Sequence, residues 1–492
     1  MKVIWPVIVL FSIAVFTCGC TSGTGFSERP GPTNLTSAKD LTNQNSPFAA
    51  RFTSGTSITV LQPGNPTIRL EPIASGFIAP MMVRAANDSK GRLFVVDQIG
   101  VIRIILPNGT ILSNPFLDLR DRMVPLSGTY DERGLLALAF HPDYKNNGRL
   151  FVWYNAPLQP GAPAGYDDTA RLSEFHVSAT DPDQVDSTSE KILLTVNKPY
   201  MNHNGGALLF GPDDGYLYLS IGDGGGANDN GFGHASGTGN AQSLSTPLGK
   251  VLRIDIDHIP PGKTYGIPPD NPYVSTAGAL PEIYAYGLRN PAYGTFDAGT
   301  HLLFIANAGQ NLFESAYIVL KGGNYGWNIR EGTHCFDPDN ANLPPIACPV
   351  IGANGDPIRG PFAELGHDIG NTIIGGALYR GNASPSWQGK YVFGTWTTEV
   401  SSTGDGALLI ATPPDGLDIG STAFNASTLA QNPMWTVQKI TVAGHSNGRV
   451  NAYIRAISEG PDHELYLLTS QASGPGIVTP GTGEVWKIEA AG

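Results

Sequence analysis

Gly91-Arg92-Leu93-Phe94-Val95-Val96 sets a Leu-Phe pair among β-branched residues directly after a turn. The same arrangement returns as Gly148-Arg149-Leu150-Phe151-Val152-Trp153, Gly215-Tyr216-Leu217-Tyr218-Leu219 and His301-Leu302-Leu303-Phe304-Ile305. Gly389-Lys390-Tyr391-Val392-Phe393 and His463-Glu464-Leu465-Tyr466-Leu467 complete the series. From Leu93 to Leu150, Leu217, Leu303, Val392 and Leu465 the steps are 57, 67, 86, 89 and 73 residues. A second strand-like run follows each cue, as in Val101-Ile102-Arg103-Ile104-Ile105. Several cues are preceded by a short apolar strand and a turn, as in Leu209-Phe210-Gly211-Pro212-Asp213. A repeat of several short antiparallel strands cannot bury its own faces, and radial stacking of the repeats buries them. The pattern predicts an all-β fold, a six-bladed β-propeller of four-stranded antiparallel sheets. The uneven spacing leaves a β-sandwich or two all-β domains as the alternative.

The composition agrees with this reading. The chain holds 61 Gly and 39 Pro in 492 residues, so turns are abundant and long helices scarce. A hydrophobic content of 41% supports a large core and excludes general disorder. A net charge of −12 with 30 basic residues argues against a nucleic-acid surface.

The first twenty residues read separately. Lys2, the apolar run Val3–Phe16 and Thr17-Cys18-Gly19-Cys20 resemble an export signal, too short for a membrane span. Gly19-Cys20 matches the end of a lipoprotein signal, with Thr17 where Leu is usual, which makes Cys20 a candidate lipid anchor on an outer membrane face. Residues 21–65, rich in Ser, Thr, Gly, Asn and Pro, read as a linker to a propeller over 66–492. In an exported chain Cys335 and Cys348 read as a disulfide, worth about 3 kcal/mol on the loop-entropy account.

Propeller geometry sorts the polar residues. The loop entering each inner strand opens on one rim, so equivalent loops converge there. Asp131-Glu132-Arg133-Gly134, Asn202-His203-Asn204-Gly205-Gly206 and Gly287-Leu288-Arg289-Asn290-Pro291 occupy that place in the second, third and fourth repeats. They bring carboxylates, an imidazole and two guanidiniums together, the makings of a polar ligand site with an available base. Gly444-His445-Ser446-Asn447-Gly448 fits a nucleophile elbow, but the run after it is strand-like where a helix is required. Gly222-Asp223-Gly224-Gly225-Gly226-Ala227 fits a loose dinucleotide pattern without a βαβ unit and reads as a turn-rich loop.

Several ordered motifs carry a family resemblance. They include Asn202-His203-Asn204-Gly205-Gly206 through Gly222-Asp223-Gly224-Gly225, Glu132-Arg133-Gly134-Leu135-Leu136, Tyr286-Gly287-Leu288-Arg289-Asn290-Pro291, Gly309-Gln310-Asn311 and Lys321-Gly322-Gly323-Asn324-Tyr325-Gly326-Trp327. Over roughly residues 70–489 the chain resembles the glucose/sorbosone dehydrogenases, the soluble PQQ-dependent aldose sugar dehydrogenases, whose fold is a six-bladed propeller. The resemblance implies a PQQ- and Ca²⁺-dependent oxidation of an aldose at its C1 hydroxyl to the lactone, with electrons passing to an external acceptor. It implies His203 as general base and Arg289 and Asn290 at the quinone oxygens. It further implies Asn204, Arg380 and Trp396 about the cofactor, Glu132 and Arg133 near the substrate, and the carbonyls of Gly309 and Gln310 on Ca²⁺.

The sequence departs from the family's pattern in three places. Glu132 stands where members carry Gln, Asn202 replaces an Asp that supports the base, and Thr395-Trp396-Thr397 lies where some members have further basic contacts. The family also includes Hedgehog-interacting relatives that use the propeller for protein binding, so a non-enzymatic binder of a protein or glycan stands as the second reading. No C-x-x-C-H haem motif is present, so an enzyme of this kind needs a separate electron acceptor.

Overall fold

The computed structural model describes residues 61–62, 66–341, 343–398, 404–417, 433–476 and 481–491. The signal, Cys20 and nearly all of the linker lie outside the described residues. Six antiparallel sheets follow one another along the chain. Blade 1 is Pro80–Ala85, Leu93–Asp97, Val101–Ile105 and Leu117–Asp118, and blade 2 is Leu135–Phe140, Arg149–Pro157, Asp168–Val177 and Val185–Lys198. Blade 3 is Leu208–Phe210, Leu217–Ile221, Lys250–Ile254 and Ile283–Tyr286. Blade 4 is Asn290–Phe296, Leu303–Ala308, Phe313–Val319 and Ala363–Gly366, and blade 5 is Asn371–Leu378, Tyr391–Thr397, Leu408–Thr412 and Thr436–Lys439. Blade 6 runs Tyr453–Glu459, Leu465–Ser470 and Gly483–Ala490. The first strand of each blade is the inner one, and inner strands of successive blades contact each other around the ring.

Each of the six cues is the second strand of its blade. In blade 1 every residue from Leu93 to Asp97 is buried, because neighbouring blades cover both faces of the strand. That two-sided burial is why the cue reads as a continuous apolar run and not as an alternation.

The ring closes through the N-terminal part of the domain. Thr67–Phe77 lies antiparallel to Gly483–Ala490 as the fourth strand of blade 6, with Leu70 opposite Ile488 and Phe77 opposite Gly483. Thr441–Val442 adds a short parallel strand outside it. Blade 6 is thus built from both ends of the domain, which removes an exposed sheet edge at the join.

The long step to the fifth cue reflects an insertion, residues 320–362, between the third and fourth strands of blade 4. It holds a small hairpin, Arg330–Glu331 with His334–Cys335. It also holds the Cys335–Cys348 disulfide, whose Cα atoms are 5.5 Å apart. The insertion climbs to the rim where the inner strands begin, and Phe336 packs on Trp327 there at 4.5 Å.

Candidate active site

The three inner-strand loops meet as the repeat predicts. Together with blades 5 and 6 they enclose a cavity of about 300 Å³ over the channel, lined by Glu132, His203, Arg289, Asn290, Trp396 and Arg455 among others.

His203 sits at its centre, almost fully buried. Its backbone takes the left-handed conformation, φ 55°, which a non-glycine residue keeps only when its surroundings impose it. Four contacts do so. Glu132 Oε2 accepts the His203 N–H at 2.7 Å, and Lys198 Nζ donates to the His203 carbonyl at 2.5 Å. Gly222 packs so close that a Cβ there would lie 2.2 Å from the same carbonyl oxygen. Asp223 Oδ1 holds the imidazole Nδ1 at 2.7 Å. The Asp223 carboxylate is itself fixed by the Trp327 indole N–H at 2.8 Å and the Gly225 N–H at 3.0 Å.

This geometry sets the tautomer. Asp223 takes the Nδ1–H, which leaves Nε2 as a lone-pair acceptor on the cavity side. Burial first, and the nearby Arg289 cation second, hold His203 below the ordinary value of 6.5. Asp223 lies well below the usual carboxylate range: burial opposes this, but His203 and Arg289 override it. The pair at neutral pH is a neutral imidazole on an ionised carboxylate, the state a general base needs. Beneath it, burial pulls the Lys198 ammonium down to about 8 and pushes Asp168 up to about 7.

Glu132 ties three loops together. Its Oε2 also accepts Asn290 Nδ2 at 3.2 Å, and its Oε1 takes the Tyr130 hydroxyl. Asn290 Oδ1 in turn accepts the Gly205 N–H at 3.1 Å. The Glu132 carboxylate therefore braces the backbone of His203. Arg289 crosses the face of Trp327, 5.6 Å from guanidinium carbon to ring centre, and donates to the carbonyls of Ala308 and Gly309 at 3.2 and 2.5 Å.

Other expected residues stand differently. Trp396 lines the cavity, stacked on Tyr453 at 4.6 Å. Asn204 borders it, but its amide is engaged by Met201 and Asn155 at 2.8 Å each. Arg133 does not line the cavity; it turns to Asp131 and Asp167 at 2.8 and 2.9 Å. Arg380 is a correction. It follows the far end of the inner strand Asn371–Leu378, whose start, Thr372 and Ile374, borders the cavity, and it pairs with Asp297 at the opposite rim. A contact from Arg380 to a ligand in this cavity is excluded by the length of that strand.

Two functional residues escaped the sequence reading. Asp223 performs the support expected from position 202, while the Asn202 side chain accepts the Gly226 N–H at 2.9 Å. The signal lay in Gly222-Asp223-Gly224-Gly225, read as a turn and as a family motif but with no role given to its carboxylate. Arg455, on the inner strand of blade 6, supplies the second guanidinium of the cavity where Arg133 does not, and donates to Gln98 Oε1 at 2.5 Å. Its signal was a lone cation in the apolar strand Tyr453–Glu459.

PQQ is a flat tricyclic o-quinone bearing three carboxylates, and the cavity suits such a group. Arg289 and Arg455 each carry a buried Nε with no partner, and Trp396 offers a flat aromatic flank. Of the two carbonyls expected on Ca²⁺, that of Gly309 accepts from the Arg289 guanidinium, while the Gln310 side chain is bound to Asn228. Among the described residues no group of three or more His, Cys, Asp or Glu could hold a metal ion, and Ca²⁺ prefers six to eight oxygens.

The family model described as Glucose / Sorbosone dehydrogenase matches residues 77–402. The HIPL1 protein of Arabidopsis thaliana is 28% identical, with 91% of this chain and 70% of the relative covered. The Hedgehog-interacting protein of Homo sapiens is also 28% identical over 85% of this chain, which spans 52% of that protein. The solved structure of the PQQ-bound form of aldose sugar dehydrogenase from Streptomyces coelicolor shares the fold, with a TM-score of 0.57 at 19% identity over 87% of this chain and 99% of that one.

Proposed function

The chain belongs to the glucose/sorbosone dehydrogenase family, and on that premise we propose that it oxidises an aldose at the C1 hydroxyl to the lactone, with PQQ as its cofactor. The observation that carries this reading is the buried His203–Asp223 pair, with Nε2 free on the cavity side, beside two guanidiniums with unpartnered Nε atoms. When bound, PQQ supplies the two-electron oxidant that takes hydride from C1, and the electrons leave afterwards to an external acceptor.

The protein's own groups do the rest. His203 Nε2 accepts the hydroxyl proton as C1 loses hydride, and Asp223 stabilises the imidazolium that forms. Arg289, fixed over Trp327, and Asn290, fixed by Glu132, provide donors where negative charge builds. Arg455 would hold a carboxylate of the cofactor, with Trp396 along its plane. Burial of the site excludes water and strengthens each of these interactions. No step is assigned to Ca²⁺. The signal-like first twenty residues support a site of action outside the cytoplasm, with Cys20 as the candidate anchor.

Similarity to the Hedgehog-interacting protein favours a second reading, a propeller that binds a protein or glycan partner. A binder has no need for a neutral imidazole oriented by a buried carboxylate, so the first reading explains more of the cavity.

The test is dye-linked oxidation of an aldose panel by purified protein reconstituted with PQQ, with and without Ca²⁺ and chelator. PQQ binding is followed separately by fluorescence quenching. Sugar-dependent dye reduction that requires PQQ is expected. His203→Ala should abolish turnover and leave PQQ binding intact. Absence of PQQ binding to the wild-type protein would overturn the enzyme reading in favour of the binder.

A further inference from the structure

A second cavity, about 490 Å³, opens beside the first and plays no part in the chemistry above. Its walls come from the outer strand of blade 2 and the long loop of blade 3, and include Tyr166, Thr195, Asn197, Ser243, Ser245 and Thr246. None of the lining residues is Asp, Glu, Lys or Arg. The one titratable imidazole, His234, is engaged on both nitrogens, by Asp229 at 2.6 Å and by the Gly225 carbonyl at 2.9 Å. With His234 paired to Asp229, the hydroxyls and amides of the lining carry no net charge and suit a neutral polyhydroxyl ligand.

The two cavities share a wall. The strip Gly225–Gly226 is bonded on one side to Asn202, which lines the catalytic cavity, and on the other to His234, which lines the second. Tyr200 lies directly against Gly226, where a Cβ would meet its ring at 3.0 Å. On this wall Phe232 stands half exposed, at 50%. It is held edge-on by Tyr166 at 5.7 Å and Tyr200 at 6.1 Å. A ring held in place by two others and open to solvent on one side offers a fixed flat surface on which a ligand can pack. The loops that carry Tyr166, Tyr200 and Phe232 all join strands at the rim where the inner strands begin.

We propose that Phe232 and the second cavity form a saccharide subsite continuous with the catalytic cavity, so that the substrate is a neutral oligosaccharide oxidised at its reducing end. The inference rests on the dehydrogenase reading for the identity of the reducing-end site. Only the reducing unit of such a chain has a free C1 hydroxyl. With that unit beside His203, the remaining units must leave the catalytic cavity, and the aromatic wall leads them to a hydroxyl-lined space. The face of a pyranose packs on an aromatic ring, and its hydroxyls pair with Ser, Thr and Asn side chains.

The test measures binding to the protein without cofactor, by titration calorimetry, with glucose, maltopentaose and cellopentaose as probes. At least one pentasaccharide should bind about tenfold or more tightly than glucose. Phe232→Ala and, independently, Ser245→Trp, which fills the second cavity from an exposed loop, should reduce that affinity to the level of glucose. Neither should change glucose binding. With PQQ present, kcat/KM should follow the same dependence on chain length and on the two variants. Equal affinity for glucose and both pentasaccharides overturns the proposal. So does a chain-length effect on binding that kcat/KM does not share. Phe232-dependent pentasaccharide binding with no oxidation of any sugar would support the subsite and overturn the dehydrogenase reading instead.

Discussion

Two buried histidine–carboxylate pairs lie one behind the other in blade 3, and they are opposites. His203 meets Asp223 at 2.7 Å and His234 meets Asp229 at 2.6 Å. Asn240 joins them, donating to the Asp223 carbonyl at 2.8 Å and, through its N–H, to Asp229 Oδ1 at 2.7 Å. Yet His203 is held below its ordinary value and His234 above it. For His203, burial and the Arg289 cation prevail over Asp223. For His234, burial is outweighed by Asp229, and the second ring nitrogen donates to the Gly225 carbonyl, which only a protonated ring can do while also donating to Asp229. A carboxylate beside an imidazole does not by itself make a base. What matters is whether Nε2 is left free and whether a cation stands near enough to keep the ring neutral.

The most severe way to break the comparison is to remove the carboxylate that orients the base. Asp223→Asn should lower kcat by roughly 10³- to 10⁴-fold, as expected when an imidazole loses the partner that fixes its tautomer. PQQ affinity should change little, because Asp223 does not line the cavity. Asp223 raises the affinity of His203 for its proton, so the acid limb of kcat/KM should also move to lower pH. A variant with wild-type kcat would remove the pair from the mechanism.

Removing the cation tests the other half. Arg289→Gln should lower kcat about 10²- to 10³-fold through the lost charge stabilisation. The pH profile separates this from a simple loss of binding. In the wild-type protein the base is neutral down to below 6.5, so kcat/KM should hold there and fall only as pH drops further. Without Arg289 the His203 value rises, and the acid limb should shift to higher pH. A profile that stays in place would mean that Arg289 does not act on His203.

How much of this was legible depended on where a residue sits in the repeat. Six cues marked six blades because second strands are covered on both faces and must be apolar throughout. The closure by Thr67–Phe77 was not legible, since a strand that completes another blade carries no cue of its own. His203, Arg289 and Glu132 were found because each precedes an inner strand, and all such loops reach one rim. Arg380 follows an inner strand, and the same geometry sends it to the far rim. It was assigned by family resemblance, against the rule that located the other residues. Asp223 hid in a glycine-rich run whose turn character was correct and incomplete. Arg455 hid inside a strand, where only the inward direction of its side chain reveals it.

The smallest effect on rate is expected from the second pair, and it should appear instead in stability. His234→Gln leaves Asp229 buried beside the N–H groups of Asn240 and Ala241 without its cation. Breaking a buried pair from one side costs about 3 kcal/mol. Because His234 binds its proton more tightly in the folded state, its contribution is fully present below pH 6.5 and is lost as pH rises through the raised value. The wild-type melting temperature should therefore fall as pH rises above 6.5, and the variant should melt lower while losing that step. With PQQ and glucose its kcat should stay close to the wild-type value, since His234 touches the cavity wall and not the cavity. A large loss of kcat at unchanged melting temperature would show that the two pairs act as one proton-handling unit through Asn240, and the distinction between base and structural cation would fall.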